Sequence, residues 1–328
     1  MRNVFVVACF ASLSVRSACQ KALGCAAPTN VTKWFCPCMC ASTEAPFGHG
    51  AEHTGCRVKH GACALDGSGT RHRFMCAYWH TELEQLLPAR RKGLRVLHIA
   101  PEKSILLGLG LAGTDRVAQY VVGDYLNDPM STVPKSLRGA VSSKLGLDIQ
   151  NTGYPDTHFD VIICSRVLEH VMDDRRAMRE LLRVMRPGGI GLISAPWNVT
   201  RPTTDEDATI SPAEAAVRFG QSDHRRIYGN DLPSRMQAAG FDVTVINTCE
   251  WFSRRAATDP LWSHVRNPEV RGRACEMHTI VRRPKHGSVP RVEWSNYTLR
   301  TPLTYVREST CRRRGHWGEV PVFGDDRP

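Results

Sequence analysis

Five stretches of this sequence carry side chains that could hold a polar ligand or move a proton. The first is His98, Ala100, Glu102 and Ser104, directly after a β-branched run. Asp124 closes a second apolar run, 26 residues beyond His98, and Asp148 with Ile149 closes a third. An acid ending the second strand of such a series can accept hydrogen bonds from both hydroxyls of a ribose, so a nucleoside site is expected here. Ser165, Arg166, Glu169 and His170 follow a fourth apolar run, FDVIICS. Asp223, His224 and Tyr228 form the remaining polar group and are the candidate catalytic residues, because a histidine beside a carboxylate can take a proton near neutral pH.

The elements that must position these groups alternate short β-branched runs with helical stretches from Leu94 onward. That alternation predicts an α/β fold, a doubly wound and mostly parallel seven-stranded sheet with helices on both faces. Strands are expected at 94–99, 119–124, 144–148, 159–165 and 190–195. Two more, at 241–246 and 276–281, would close the sheet as an antiparallel pair. Asp173 and Asp174 open a helix where carboxylates suit the positive dipole end, and Met178, Leu181, Leu182 and Met185 repeat at helical spacing. A second helix is expected over 231–239, stopped by Gly240. In such a sheet the ligand lies beyond the carboxyl ends of the strands at the switch point, where the polar groups above fall. Residues 197–229 are too long for a simple connection and are expected to form a lid over the acceptor. Trp197 would stack in that lid, and Asp205, Glu206 and Asp207 argue against a phosphate-rich acceptor.

The chain divides chemically. Nine of thirteen cysteines fall within the first 76 residues. A structural zinc site wants four Cys or His ligands, and Cys36, Cys38, Cys56 and Cys63 are the candidates, with Cys40, His49, His53, His60 or Asp66 as substitutes. Free thiols or disulfides are the other reading. The expected divisions are a leader or disordered start at 1–34, the Cys-rich segment at 35–93, the main domain at 94–283 and a basic tail at 284–328. The first acid is Glu44, and an apolar stretch after Arg2 suits a secretory leader, whereas Arg2, Arg16, Lys21 and Lys33 without acids suit an organellar one. Sequons at Asn30, Asn198 and Asn296 lean toward the secretory route.

The 328 residues, 42% apolar and 23% charged, exclude a disordered, collagenous or coiled-coil chain. No apolar run approaches the roughly 18 to 20 residues needed to span a bilayer, so no integral membrane segment is expected. The net charge of +11 sits mostly on the flanks, +6 before residue 94 and +3 after 283. Charge spread in this way is ordinary solvated surface, and nucleic-acid binding is not inferred from it.

The order of strand-end acids, the FDVIICSRVLEHV segment and LLRVMRPGGIGLISAP together resemble the class I S-adenosylmethionine-dependent methyltransferases over residues 94–283. Within that class the chain is similar to a type-11-like subgroup with an HxAPE first loop and a zinc-ribbon-like Cys segment before it. The subgroup also carries a GQxDHxRxYG stretch, here at 220–229. The resemblance implies S-adenosylmethionine as cofactor and a small molecule as the methyl acceptor, with zinc as a second candidate. It places the ribose on Asp124, the adenine between Asp148 and Ile149, and the methionine part on the 98–104 loop, with Glu102 facing the ammonium group and Ser165 nearby. The usual loop glycines are replaced by Ala100, Glu102 and Ser104, and Arg166 stands where relatives frequently have histidine. Two rivals remain. A nicotinamide oxidoreductase needs GxGxxG after the first strand, which is absent, and a catalytically silent nucleoside-binding module fits a diverged first loop. Acceptor identity and oligomeric state are not legible.

Overall fold

The run FDVIICS is buried along its whole length, which is what a strand covered on both faces requires. In the computed structural model it is the centre of an eight-stranded sheet. The structure describes residues 69–87, 93–258, 277–285, 288 and 290–294, with the backbone alone of short strand segments at 34–36, 41–43, 48–49 and 61–62. The expected leader, the side chains of Cys36, Cys38, Cys56 and Cys63, and most of the basic tail lie outside the described residues.

In chain order the strands are β1 Leu94–Ile99, β2 Val117–Asp124, β3 Ser142–Leu145, β4 Phe159–Ser165, β5 Met185–Ser194, β6 Asp242–Asn247, β7 Met277–Arg282 and β8 Val292–Trp294. Their order across the sheet is β8-β6-β7-β5-β4-β1-β2-β3. All neighbours from β3 to β5 pair in parallel, and β7 runs antiparallel to both β5 and β6. The mostly parallel sheet and its antiparallel pair are therefore as the sequence pattern predicts. The strand count is not. Three residues of the expected tail, β8, pair in parallel with Val243–Val245 and add an eighth strand too short to show a period.

The helices are α1 Thr70–Tyr78, α2 Lys103–Gly108, α3 Asp174–Val184, α4 Pro212–Arg218, α5 Leu232–Ala238 and α6 Thr248–Thr258. One face of the sheet is covered by Phe74 of α1, Ile105 and Leu106 of α2 and Phe252 of α6. The other is covered by Ala177, Met178 and Leu181 of α3 with Leu232 and Met236 of α5. Helix α3 begins at Asp173, whose carboxylate accepts from the Arg176 amide at 2.9 Å, and α4 begins at a reciprocal Ser211–Glu214 cap.

Helix α1 departs from the expected division at residue 93. Phe74, Trp79 and Leu83 are buried in the same core as β1, each worth about 1.5 to 3 kcal/mol of apolar burial. Residues 69–87 thus pack as part of the main domain. The third strand also ends early, at Leu145 instead of Asp148, because Gly146 turns into the left-handed region at φ 74°.

Candidate active site

The carboxyl ends of β1 and β4 lie side by side, and each is followed by a non-glycine residue with left-handed backbone, Ala100 at φ 47° and Arg166 at φ 58°. Such residues cost of order 1 to 3 kcal/mol and persist where the surrounding structure demands the turn. Ala100 is held by its amide, which donates to Gly123 O at 2.7 Å. Arg166 is held by its amide on Ser194 O at 2.8 Å. The switch point is thus a strained pair of turns.

Around it the expected cofactor residues fall on three adjacent strand ends. Asp124, at the end of β2, uses one oxygen to accept from the amides of Leu126 (2.9 Å) and Asn127 (2.8 Å). Asp148 does the same with the Gln150 amide at 2.8 Å. In both residues one oxygen orders its own turn and Oδ2 has no protein partner among the described residues. Gly123 is required beside Asp124 because a Cβ there would stand 2.2 Å from Leu147 Cδ2.

Glu102 caps the start of α2 and is bound by two side chains from α1, Arg71 and His72, the latter at 2.9 Å. Burial opposes its ionisation. The hydrogen bond from His72 and the charge of Arg71 overcome that and hold the carboxyl down at about 2. Its Oε1 takes both partners, while Oε2 is buried with none among the described residues. A buried carboxylate oxygen without a donor is costly unless a ligand supplies one. An ammonium group at that position fits.

His98, Ser165 and Ile149 are placed deeper. His98 is buried within β1, its Nδ1 3.0 Å from the Tyr120 hydroxyl, and burial pushes its pKa down to about 4. Ser165 accepts from Ser194 Oγ at 3.1 Å and is closed to solvent. Ile149 packs in the core with Leu147. By contrast Tyr125 and Leu126, directly after Asp124, are 63% and 79% exposed. Sequence reasoning did not single out these two exposed side chains, although their position beside a strand-end acid could have signalled them.

The excursion 197–229 folds back onto the loop after β4. Strand residues Asp205–Glu206 pair with Arg226–Ile227, and the Arg225 amide donates to Glu169 O at 2.8 Å. Arg226, fully buried, donates to the carbonyls of Leu168 (2.8 Å), Val171 (2.6 Å) and Met172 (2.9 Å), and its Nε lies 3.3 Å from Glu206. Arg235 bridges Asp174 (3.3 Å), Glu206 and Asp231. Arg218 and Arg201 bind Asp205, and Arg218 reaches Asp207 at 3.5 Å. The acid run therefore faces arginines of its own fold, which removes the charge argument against an anionic acceptor.

Of the candidate catalytic residues, the structure brings His224 and Asp223 beside His170 of the β4 loop and sets Tyr228 deeper, its hydroxyl 3.4 Å from Leu168 O of the same loop. His224 is buried with its ring 4.7 Å, centroid to centroid, from that of His170, and Asp223 Oδ2 lies 3.1 Å from His170 Nδ1. Burial, then the neighbouring His170, lower the His224 pKa. Tyr228 is fully buried and donates to Asp174 Oδ2 at 2.9 Å, and burial followed by that carboxylate raises its pKa well above the usual value. Its hydroxyl serves the packing between α3 and the excursion. Trp197 is also mostly buried, its indole N–H 3.3 Å from Asn230 Oδ1. Glu169 is buried, its Oε2 has no partner among the described residues, and burial raises its pKa.

Residues 108–193 match the family model for a methyltransferase domain. A probable S-adenosylmethionine-dependent methyltransferase of Mycolicibacterium smegmatis is 30% identical over 89 residues, covering 27% of this chain and 31% of that protein. A ubiquinone/menaquinone biosynthesis C-methyltransferase of Idiomarina loihiensis is 28% identical over 171 residues, covering 46% of this chain and 68% of that protein. Among solved structures, the cyclase SpnF is similar at 20% identity over 70% of this chain and 88% of that one, with a TM-score of 0.42. An S-adenosylmethionine-dependent methyltransferase from Mesorhizobium loti is similar at 15% identity over 61% and 95%, with a TM-score of 0.41. The chain thus spans about a third of the mycolicibacterial relative. The chain is a mostly parallel, doubly wound α/β sheet of the Rossmann-like kind, and residues 108–193 within it are similar to a methyltransferase domain.

Proposed function

We propose that this protein is an S-adenosylmethionine-dependent methyltransferase acting on a small-molecule acceptor. The observation that carries the reading is the row of carboxylates beyond β1, at the end of β2 and beyond β3. Glu102 offers a buried unpartnered oxygen, and Asp124 and Asp148 each offer an oxygen not used by their own turns. An ammonium, a ribose diol and a purine amine are donors that match that row in order. Tyr125 and Leu126 would then pack on the nucleoside. When bound, the sulfonium supplies an activated methyl group, and the chain's task is to align an acceptor with it, an effect that can remove several kcal/mol of barrier. His170, Asp223, His224 and Glu169, held together by Arg226, form the acceptor side.

The finer likeness, to the subgroup with an HxAPE loop and a zinc-ribbon-like segment, belongs to the same proposal. What supports it is that Arg71 and His72 of α1, next to the Cys-rich segment, bind the Glu102 of that loop. Cys36, Cys38, Cys56 and Cys63 remain the proposed ligands of a structural zinc. Calorimetry with S-adenosylmethionine and its demethylated product tests the cofactor reading. Asp124→Ala is expected to weaken binding by about 1 to 3 kcal/mol, the loss when a polar group is left unmatched. No heat of binding in the wild type would overturn the reading.

A further inference from the structure

We propose that Glu169, His170 and His224 form a site for a divalent transition-metal cation on the acceptor side of the cleft. One ligand atom from each of the three lies within 4.8 Å of the others. Two imidazoles and one carboxylate are the donor set that suits zinc, cobalt or iron(II) in preference to calcium or magnesium. Three protein ligands also leave positions open, as in reactive sites and unlike closed structural ones.

The surroundings of the three residues point the same way. His224 Nδ1 is 3.2 Å from the Phe219 carbonyl oxygen, which accepts only from a protonated nitrogen and so leaves the lone pair on Nε2. His170 Nδ1 faces Asp223 Oδ2 at 3.1 Å, which likewise leaves Nε2 as the ligand atom. Carboxylate and carbonyl partners on the far nitrogen are what metal-binding histidines use to fix ring orientation. The third ligand, Glu169, has a buried oxygen without a hydrogen-bond partner among the described residues. The two loops that carry the ligands are tied by Arg226 and by the Arg225 amide on Glu169 O, so the site does not depend on a free loop.

In this arrangement His224 is a ligand and not a general base. Resting on the methyltransferase reading, the cation would bind an acceptor hydroxyl and lower its pKa. The site itself does not need that reading and is tested without S-adenosylmethionine. Reduced, metal-free full-length protein is titrated with cobalt(II) and followed by absorption. Thiolate ligation by the Cys-rich segment gives an intense sulfur-to-metal charge-transfer band, whereas nitrogen and oxygen ligands give only weak visible bands. The expected result is a cobalt with nitrogen and oxygen character, separate from any thiolate-bound cobalt of the Cys-rich segment and displaced by zinc. Glu169→Gln and His224→Ala should weaken it by at least about 10- to 100-fold, the loss typical even of outer partners. His170→Ala, at a partly exposed ring, carries the same test if the buried variants do not fold. A cobalt spectrum with thiolate character alone, or a nitrogen and oxygen spectrum indifferent to all three substitutions, overturns the proposal.

Discussion

Arg226→Ala should be the most damaging single substitution in the excursion. The wild-type guanidinium is fully buried and donates to three carbonyls of the β4–α3 loop at 2.6 to 2.9 Å, with Glu206 at 3.3 Å and Asp174 at 3.9 Å. Removing one member of a buried charged network costs about 3 to 5 kcal/mol, because the groups left behind lose partners without regaining water. The lower end applies here, since Asp174 and Glu206 both keep Arg235 and only the three carbonyls are orphaned. At about 2 to 4 °C per kcal/mol for a domain of this size, about 3 kcal/mol lowers the melting temperature by roughly 6 to 12 °C. Thermal and urea unfolding of wild type and variant measure it directly. Arg225→Ala is the control, because among the described residues its guanidinium makes two long hydrogen bonds, at 3.4 and 3.5 Å, and should stay within about 1 kcal/mol of wild type. A loss below about 1 kcal/mol for Arg226→Ala, or equal losses for both variants, would refute the assignment of Arg226 as the tie between the two loops. The same variant should weaken cobalt binding, since His224 and Glu169 sit on the two loops it joins.

Tyr228→Phe should destabilise the protein by about 1 to 2 kcal/mol by depriving Asp174 of a buried donor, while turnover per folded molecule stays unchanged. A large fall in turnover at wild-type stability would return Tyr228 to the reacting groups. The Glu102 carboxyl lies at about 2 in the folded chain against an ordinary 4.5, so its contribution to stability is present above about pH 4.5 and fades as pH falls toward 2. Unfolding measured across that window should show a shallower acid limb in Glu102→Gln than in wild type. Gly229→Ala would set a Cβ 2.4 Å from the backbone of Thr203 and should cost about 1 to 3 kcal/mol, read by denaturant midpoint.

The alternation of runs in the sequence determined the strands of the sheet, because a strand buried on both faces must be apolar throughout and its ends must be punctuated. Phe159–Ser165 is legible residue for residue for that reason. The strand-end acids are legible too, since in a parallel sheet chain position alone puts them on one edge. Pairings between residues far apart in the chain were not. Nothing local marks Arg226 as buried, because its carbonyl partners lie more than 50 residues away and an arginine in a polar loop reads as solvated. Helix α1 reads as part of a Cys-rich segment, yet tertiary packing sets Phe74 and Trp79 in the main core and brings Arg71 and His72 onto Glu102. The acids at 205–207 read as a charged surface, and only folding shows them matched by arginines. Glu169, His170 and His224 lie in two stretches separated by more than 50 residues. Sequence spacing names both stretches, but distance and burial are properties of the folded chain, and they alone turn three scattered side chains into one cluster.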